Sequence, residues 1–458
     1  MVKLMRDGFQ PPHRMLSRRS VLGGAGLIGA AVSIKALDLI MTGSVQPAWK
    51  SSSWRPPHLD RFFAATDSPV VGGDLTVTTR QPSVSVGDSV AVTVTAFGDV
   101  DLAIFRLGWY DGVGALLLWH ANDLAGVTTV DVTIDPSWGS GMYVAVVCPH
   151  GRRAPTRIHP FVVTDPSSDA AIVMQIPVTT YQAYNASGGA SLYRFNSPND
   201  PVTSVGLYRP FDIFDGAGFL YYGDLQTIWW LDREGFEVTY VSSLETHTQP
   251  DLMNGRRLFL SSFHDEYWSM PMRDHLQRWI AGGVNAAFLG ANSLYWQVEL
   301  SLNEVAGTWT MHCDKMLGGT QGTFRSNGRP EHLLLGSQYE SYRFPYRLAA
   351  QDWVVDGAGH WLYTDTGLRN GDRIKGLVGY EWDRLPSNGV GDGVTVVADS
   401  PLLDGHRHHA CVVERAGHGT VFNAGTNYWP RMLLDNGPWK ANDAVQQITR
   451  NLLSELGR

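Results

Sequence analysis

The spacing of hydrophobic residues changes once along the chain, and this change constrains the fold more than any other feature. Between residues 71 and 165 apolar residues alternate with polar ones, as at Val90, Val92 and Val94. Short alternating runs separated by turns are typical of antiparallel sandwiches. The pattern therefore predicts a β-sandwich domain over residues 71–165, which ends at the turn-forming segment 165–168.

From residue 169 onward, short apolar runs alternate with amphipathic segments. Strands are predicted over 171–176, 238–241, 258–263 and 285–289, and helices over 224–234, 271–281 and 441–456. Such alternation predicts a parallel sheet covered by helices. We therefore expect a multidomain chain, β followed by α/β, with the α/β domain over residues 169–458.

The N-terminal region has the features of an export sequence. Arg18-Arg19 precede a short apolar run from Val21 to Ile34, which is shorter than the roughly 20 apolar residues of a spanning helix. Residues 1–45 are therefore predicted to be a twin-arginine export signal or a retained membrane anchor, and the protein to be periplasmic or on the cell surface. Residues 46–70, rich in Ser, Pro and Trp, are interpreted as a linker.

Charge and cysteine content exclude several functional classes. The formal net charge is -8, and the chain has no long basic run beyond its N-terminus, which argues against nucleic acid as a partner. The three cysteines Cys148, Cys313 and Cys411 are too few for a disulfide framework and do not have zinc-site spacing. We interpret them as buried thiols.

Polar residues follow three of the predicted parallel strands, where ligands bind in open α/β sheets. Tyr181 and Tyr184 follow the first strand, the cluster 264–266 (His-Asp-Glu) follows the third, and Asn292 follows the fourth. Ionisable residues directly after an apolar strand are costly unless they serve a site or a network. The cluster is therefore a candidate metal ligand set or general base, and the alternative is a buried network without a ligand.

The fourth strand end resembles a nucleophile elbow in its predicted strand–turn–helix shape. Asn292 and Ser293 occupy the tip, and no cysteine is near in sequence, which argues against thiol chemistry. Ser293 lacks a Gly-x-Ser-x-Gly context, so a serine nucleophile is disfavoured. The histidine-rich tract 406–409 is interpreted as a solvated loop, with a metal tract as the alternative.

Together, several long motifs resemble the large (beta) subunit of the N,N-dimethylformamidase family. These motifs are RLGWYDGVGA (106–115), TYQAYNASGGASL (180–192), HDEYW (264–268), GANSLYW (290–296) and GYE (379–381). The resemblance extends over roughly residues 70–430. It implies an immunoglobulin-like β-sandwich joined to a class I glutamine amidotransferase-like α/β domain that lacks the elbow cysteine.

The resemblance also implies one mononuclear ferric site held by two tyrosinates and a glutamate. Matching the motifs residue by residue gives Tyr143, Tyr184 and Glu266 as the metal ligands, with His264 and Asn292 beside them. His264, Glu266 and Asn292 are then the expected catalytic residues. Three anionic oxygen donors suit a hard trivalent ion, which activates water and polarises an amide carbonyl.

The sequence-based hypothesis is therefore an iron-dependent amidohydrolase acting on a small amide. The alternative is an exported, non-catalytic protein that binds a glycan or small ligand on an amidotransferase-like scaffold. Metal content discriminates between the two. The expected partner is a small-molecule amide; a membrane tether through the N-terminus and homo-oligomerisation stay open, and nothing in the sequence indicates a small second subunit.

Overall fold

The protein is β-rich and multidomain. The computed structural model describes residues 75–150, 157–197, 200–211, 217–315, 322–340, 350–436 and 439–458. The predicted export signal or anchor (1–45) and linker (46–70) lie outside these residues. Within the described part of the chain, no helix combines the length and apolarity needed to cross a bilayer.

Two facing sheets form the first part of the molecule. The three-stranded antiparallel sheet has the order β1 (Leu75–Thr79), β3 (Ser89–Ala96) and β6 (Val127–Thr133). The five-stranded sheet has the order β2 (Ser83–Ser85), β8 (Arg157–Thr164), β7 (Gly141–Pro149), β4 (Val100–Leu107) and β5 (Ala115–Leu124). The alternating valines of β3 point into a core shared by both sheets, as their period of two predicts.

A seven-stranded sheet dominates the rest of the chain. Its order is β11 (Val238–Ser242), β9 (Ile172–Ile176), β12 (Leu258–Phe263), β14 (Asn285–Gly290), β23 (Val421–Asn423), β22 (Arg407–Val413) and β21 (Val394–Pro401). The first five strands are parallel, and the last two continue the sheet antiparallel. Strands β9 and β12 are buried along their whole length because both faces of the sheet are covered.

The described helices flank this sheet and the site at its edge. They are α1 (Val178–Tyr184), α2 (Ala217–Phe219), α3 (Leu225–Glu234), α4 (Ser243–Thr248), α5 (Met270–Ala281), α6 (His332–Leu335) and α7 (Asp443–Leu456). A π-helical turn, Leu220–Asp224, leads into α3. The predicted strands and the three predicted helices are confirmed within two residues at each end, whereas α1 was not predicted.

Smaller sheets complete the fold. A four-stranded sheet has the order β10 (Ser204–Gly206), β16 (Thr308–His312), β15 (Trp296–Asn303) and β13 (Tyr267–Ser269). Two-stranded sheets pair β17 (Gln338–Tyr339) with β20 (Asp383–Arg384), and β18 (Gln351–Val354) with β19 (Arg373–Val378). Strands β15 to β20 lie in the chain between β14 and β21, whereas β10 and β13 precede β14.

The loop 108–114 of the sandwich contacts helix α3, which packs against the seven-stranded sheet. The Trp229 indole, on α3, donates a hydrogen bond of 2.9 Å to the Gly114 carbonyl. Gly114 has a φ of +88°, and a Cβ there would lie 2.9 Å from Cζ2 of Trp229. The Trp109 amide donates to Asp232 of α3 at 2.6 Å. One hydrophobic core runs without interruption from the five-stranded sheet into the parallel sheet.

Candidate functional site

The candidate site lies where β9, β12 and β14 end, because the carboxyl ends of parallel strands share one edge of a sheet. Phe263 ends β12 in the left-handed region, with φ of 50°, and turns the chain so that His264 and Glu266 leave the sheet. Two glycines make room for this turn. A Cβ at Gly290 would overlap the Phe263 carbonyl oxygen, and one at Gly223 would overlap the Phe263 ring.

Three oxygen donors converge beyond this edge. The Tyr184 hydroxyl, at the end of α1, donates to Oε2 of Glu266 at 2.8 Å. The Tyr193 hydroxyl lies 2.7 Å from that of Tyr184 and 3.1 Å from the same carboxylate oxygen. Tyr184 and Glu266 are 4% and 3% exposed, whereas Tyr193 is partly exposed, so the oxygen triangle is reached by solvent only from the side of Tyr193.

His264 lies between two buried carboxylates. Its Nε2 is 3.4 Å from Oε2 of Glu266 and 3.5 Å from Oε2 of Glu381, and 3.3 Å from the Tyr184 hydroxyl. Burial lowers the pKa of His264, opposed by the negative charge of Glu266. Burial, followed by the charge of Glu266, raises the pKa of Glu381 well above its usual range. The arrangement favours a proton held on the Glu381 side of the cluster.

Asparagine side chains fix Glu381 and the turn opposite it. Asn292, with φ of 56°, donates from Nδ2 to Oε2 of Glu381 at 3.1 Å, and its amide donates to Asp383 at 2.9 Å. Asn427 lies 3.4 Å from the same Glu381 oxygen and accepts from the Ala291 amide at 2.7 Å. The buried Oδ1 of Asn292 has no hydrogen-bond partner among the described residues, so an acceptor is available beside the carboxylates.

A lysine and a third tyrosine extend the cluster. The Lys315 ammonium donates to the Tyr267 hydroxyl at 2.6 Å and lies 3.2 Å from the Tyr193 ring centroid. The Tyr267 hydroxyl donates in turn to that of Tyr193 at 2.6 Å. Burial lowers the pKa of Lys315 to about 8, although the charge of Glu266 raises it. A continuous chain of hydrogen bonds therefore connects Lys315 to the oxygen triangle.

The phenols of the triangle are protonated in the absence of a cation. Burial, followed by the charge of Glu266, raises the pKa of both Tyr184 and Tyr193 well above the usual value. A trivalent cation among these oxygens would reverse this shift, because it favours the anionic forms. No group of three or more His, Cys, Asp or Glu side chains in the described ranges suits a metal ion, so a metal here requires tyrosine oxygens.

The structure does not bring the predicted ligand Tyr143 into this cluster. Tyr143 lies on β7 in the core between the two sandwich sheets, fully buried. Its hydroxyl donates to the main-chain carbonyls of Trp138 and Gly139, at 2.9 and 2.7 Å. Burial raises its pKa, and among the described residues the charged group that acts on it is Arg106 rather than a carboxylate. Of the three predicted ligands, Tyr184 and Glu266 meet, and the Tyr193 hydroxyl lies beside them.

Asp265 points away from the oxygen triangle. Its carboxylate accepts hydrogen bonds from Gln175, Ser261 and Trp268 at 2.7 to 2.8 Å. Burial raises its pKa to about 6. Asp265 thus anchors the turn that presents its two neighbours, as expected from their alternation along an extended segment.

Two sequence interpretations are wrong. The predicted nucleophile elbow is not followed by a helix: the turn at Asn292 and Leu294, both with positive φ, leads into β15. The tract 406–409 is not a solvated loop, because residues 407–409 belong to β22. His408 is fully buried between Ser400 and the Ala424 carbonyl, which identifies it as a structural residue.

Several residues of the cluster were not assigned from the sequence, among them Tyr193, Glu381 and Lys315. Tyr193 directly follows the motif that contains Tyr184, and Glu381 is the last residue of the motif 379–381. Their positions in or next to these motifs could have marked both as candidate site residues. Lys315 lies outside every motif. Lys315 follows β16, and only the tertiary structure shows that it contacts Tyr267 in the cluster.

Comparison with known proteins identifies one family. The model of the family "N,N-dimethylformamidase beta subunit-like, C-terminal" matches residues 101–442. The chain is 24% identical over 287 residues to the N,N-dimethylformamidase beta subunit of Paracoccus aminophilus, and 27% identical over 287 residues to that of an Alcaligenes species. Each alignment covers 51% of this chain and 36% of the relative, so the chain matches about a third of these relatives' length.

A likeness to a solved structure is weaker. The chain is 12% identical to a Paenibacillus cycloisomaltooligosaccharide glucanotransferase, with 53% of this chain and 34% of that chain covered. The TM-score is 0.16, too low to indicate a shared fold.

Proposed function

Because the chain belongs to the N,N-dimethylformamidase beta subunit-like family, we propose that it is a ferric-iron-dependent amidohydrolase acting on a small amide. The observation that carries this proposal is the convergence of the Tyr184, Tyr193 and Glu266 oxygens at the carboxyl edge of the sheet. We further propose that the sandwich is immunoglobulin-like and the parallel-sheet domain class I glutamine amidotransferase-like.

The donor set fits a hard trivalent ion. All three converging groups are oxygen donors that can carry negative charge, whereas a softer divalent metal would favour imidazole or thiolate. Tyr184, Tyr193 and Glu266 would hold the ion. When bound, ferric iron supplies a Lewis acid that activates water and polarises an amide carbonyl.

The chain's own residues would orient the substrate and manage protons. Asn292 presents an unpartnered Oδ1 that can accept the N–H of a bound amide, and its Nδ2 fixes Glu381. Glu381 can hold a proton beside His264, in position to protonate a leaving amine. The Lys315–Tyr267 pair supplies positive charge close to Tyr193, which stabilises negative charge on the oxygen triangle.

Elemental analysis and visible absorption of the purified protein test the proposal. We expect one iron per chain and a tyrosinate-to-iron charge-transfer band. Tyr184→Phe, Tyr193→Phe and Glu266→Gln should each lose iron and colour, because each removes one oxygen ligand with little change in volume. A native protein that is colourless and metal-free would refute the iron site and favour the non-catalytic binding protein.

Tyr143→Phe is the matched control for the tyrosine variants. The structure places its hydroxyl on main-chain carbonyls of the sandwich, so this variant should keep its iron and its band. Loss of iron in Tyr143→Phe, with retention in Tyr193→Phe, would contradict our assignment of the third ligand. Ser293→Ala, next to Asn292, should keep amide hydrolysis, whereas a trapped acyl-enzyme would indicate a serine mechanism.

The quaternary state, export and substrate are also proposals. The relatives are beta subunits, and we propose that this chain likewise assembles, either with itself or with another subunit. We propose export through residues 1–45, in the periplasm or at the cell surface. Replacement of Arg18 and Arg19 by Lys, followed by cell fractionation, tests the twin-arginine route, and unchanged fractionation would reject it.

A further inference from the structure

Arg431 lies at the same sheet edge as the candidate site. It belongs to the 3₁₀-helix Trp429–Met432, which follows the carboxyl end of β23. The loop between them supplies Asn427, which contacts Glu381. The Tyr428 ring covers Gly379, so closely that a Cβ at this glycine would overlap it. Arg431 is therefore held directly beside the segment that carries Glu381.

Aromatic rings cover the guanidinium of Arg431. Its central carbon lies 4.1 Å from the Tyr428 ring centroid and 4.6 Å from that of Trp439. The Tyr222 ring meets Trp439 edge-on, with centroids 6.2 Å apart. A guanidinium between stacked rings donates hydrogen bonds in its own plane. Arg431 makes one side-chain hydrogen bond to Tyr428, and its remaining N–H groups match the geometry of a carboxylate.

In the part of the chain that the structure describes, no acidic side chain pairs with this cation. Among the described residues, Arg431 makes no ion pair and no hydrogen bond to a carboxylate or main-chain carbonyl, and its Nε is buried without a partner. Burial lowers the pKa of Arg431, and the groups that oppose this shift are the phenols of Tyr428, Tyr222 and Tyr380. A guanidinium stays charged in such surroundings, and a partly desolvated charge without a counterion is costly.

Tyr380 lies near both Arg431 and the residues around the oxygen triangle. The Tyr380 ring contacts His264 edge-on, with centroids 6.0 Å apart, and stacks on Phe263 at 6.5 Å. Tyr380 is also among the phenols that act on Arg431. A ligand that reaches from the triangle past Tyr380 would thus present its distal end to the guanidinium.

We propose that Arg431 is the carboxylate-binding group of the substrate pocket, so that the substrate is a small amide that also carries a carboxylate. This inference rests on the proposed function and adds the substrate class to it. N-formylglycine and its neutral analogue N-formylglycinamide are matched probes, because they differ only in the charge of the distal group.

Formate release from the two probes by the purified protein tests the proposal. Wild type should have a kcat/KM about 10- to 100-fold higher for N-formylglycine, the range of a charge-assisted hydrogen bond. The ratio should approach one in Arg431→Gln and lie between in Arg431→Lys. Arg407→Gln, at an exposed arginine paired with Asp399, should keep the wild-type ratio. A wild-type ratio near one, or one that survives in a folded Arg431→Gln, overturns the proposal.

Binding separates this inference from the hydrolytic function. If wild type hydrolyses neither probe, the amidohydrolase proposal fails for these amides, and the subsite is tested by titration alone. Trp439 lies against the guanidinium, so N-formylglycine should change the tryptophan fluorescence saturably in wild type and in Arg407→Gln but not in Arg431→Gln. Absence of a saturable change in wild type overturns the carboxylate subsite.

Discussion

Gly223→Ala should disable the candidate site without touching any of its functional groups. Gly223 lies in the π-helical turn before α3, and its ideal Cβ position overlaps Cβ, Cγ and Cδ1 of Phe263. The main chain of Phe263 has a left-handed conformation and packs closely against Gly290. The backbone of Phe263 therefore cannot shift to make room for a larger residue at position 223. The added methyl group must therefore displace the Phe263 ring, and with it the turn that presents His264 and Glu266.

The expected change in the free energy of unfolding follows from opposing effects. Alanine is favoured over glycine in a helix by about 1 kcal/mol. Overpacking in a closed core costs about 1 to 3 kcal/mol, and displacement of a left-handed, non-glycine residue adds a similar strain. We expect a net loss of about 3 kcal/mol in the free energy of unfolding, measured by urea denaturation, together with a marked fall in iron bound at the proposed site.

Two comparisons make this prediction refutable. Gly359→Ala has no atom within 4 Å of the new Cβ and should change stability by less than about 0.5 kcal/mol. The double variant Gly223→Ala/Phe263→Leu should be less destabilised than the sum of the single variants, because the shorter side chain makes room for the methyl group. Additive losses, or a Gly223→Ala protein with wild-type iron and stability, would refute the reasoning.

Three further perturbations test other parts of the structure. Burial lowers the pKa of His159 to about 3, below its ordinary value of 6.5, so the unfolded chain binds a proton that the folded chain excludes. The stability therefore falls as pH drops from 6.5 towards 3, by about 1.4 kcal/mol per pH unit. Urea unfolding between pH 7 and 5 should show a shallower fall in His159→Phe, and equal slopes would contradict this assignment. Gly114→Ala should cost about 1 to 3 kcal/mol, measured as a lower Tm, because the new Cβ meets Trp229 at 2.9 Å with φ of +88°; an unchanged Tm would show that the loop is not fastened there. Asp265→Asn should cost about 1 to 3 kcal/mol, because one of the three donors around it then faces an N–H group, yet iron should stay bound. Iron loss as large as in Glu266→Gln would place Asp265 among the ligands.

The fold was predictable wherever the hydrophobic period was regular. Strand β12 matches its predicted bounds, and α5 begins one residue before its prediction, because a buried apolar run and an amphipathic face are local signals. The helix α1 was missed because all seven of its residues are buried, which leaves no amphipathic period to detect. Residues 407–409 were read as a loop because burial of polar histidines depends on partners supplied by distant segments.

The site was predictable only in part. The sequence identified the residues that directly follow a strand end within a motif. These are His264, Glu266 and Asn292, and the structure brings them together. The prediction of Tyr143 followed from the resemblance alone, and no local pattern distinguishes a tyrosine in a sandwich core from one in a site. Lys315 contributes through a hydrogen-bond chain that only the tertiary structure brings together.

The position of β23 has a consequence for biosynthesis. This strand is the last in the sequence, yet it lies between β14 and β22 in the sheet. Until Val421 leaves the ribosome, the growing chain holds two separate half-sheets with facing unpaired edges. Asn427 follows the same strand and is needed to fix Glu381. The chain must therefore be synthesised through Asn427 before the site can form, and a nascent chain that stalls earlier exposes two unpaired sheet edges to other chains.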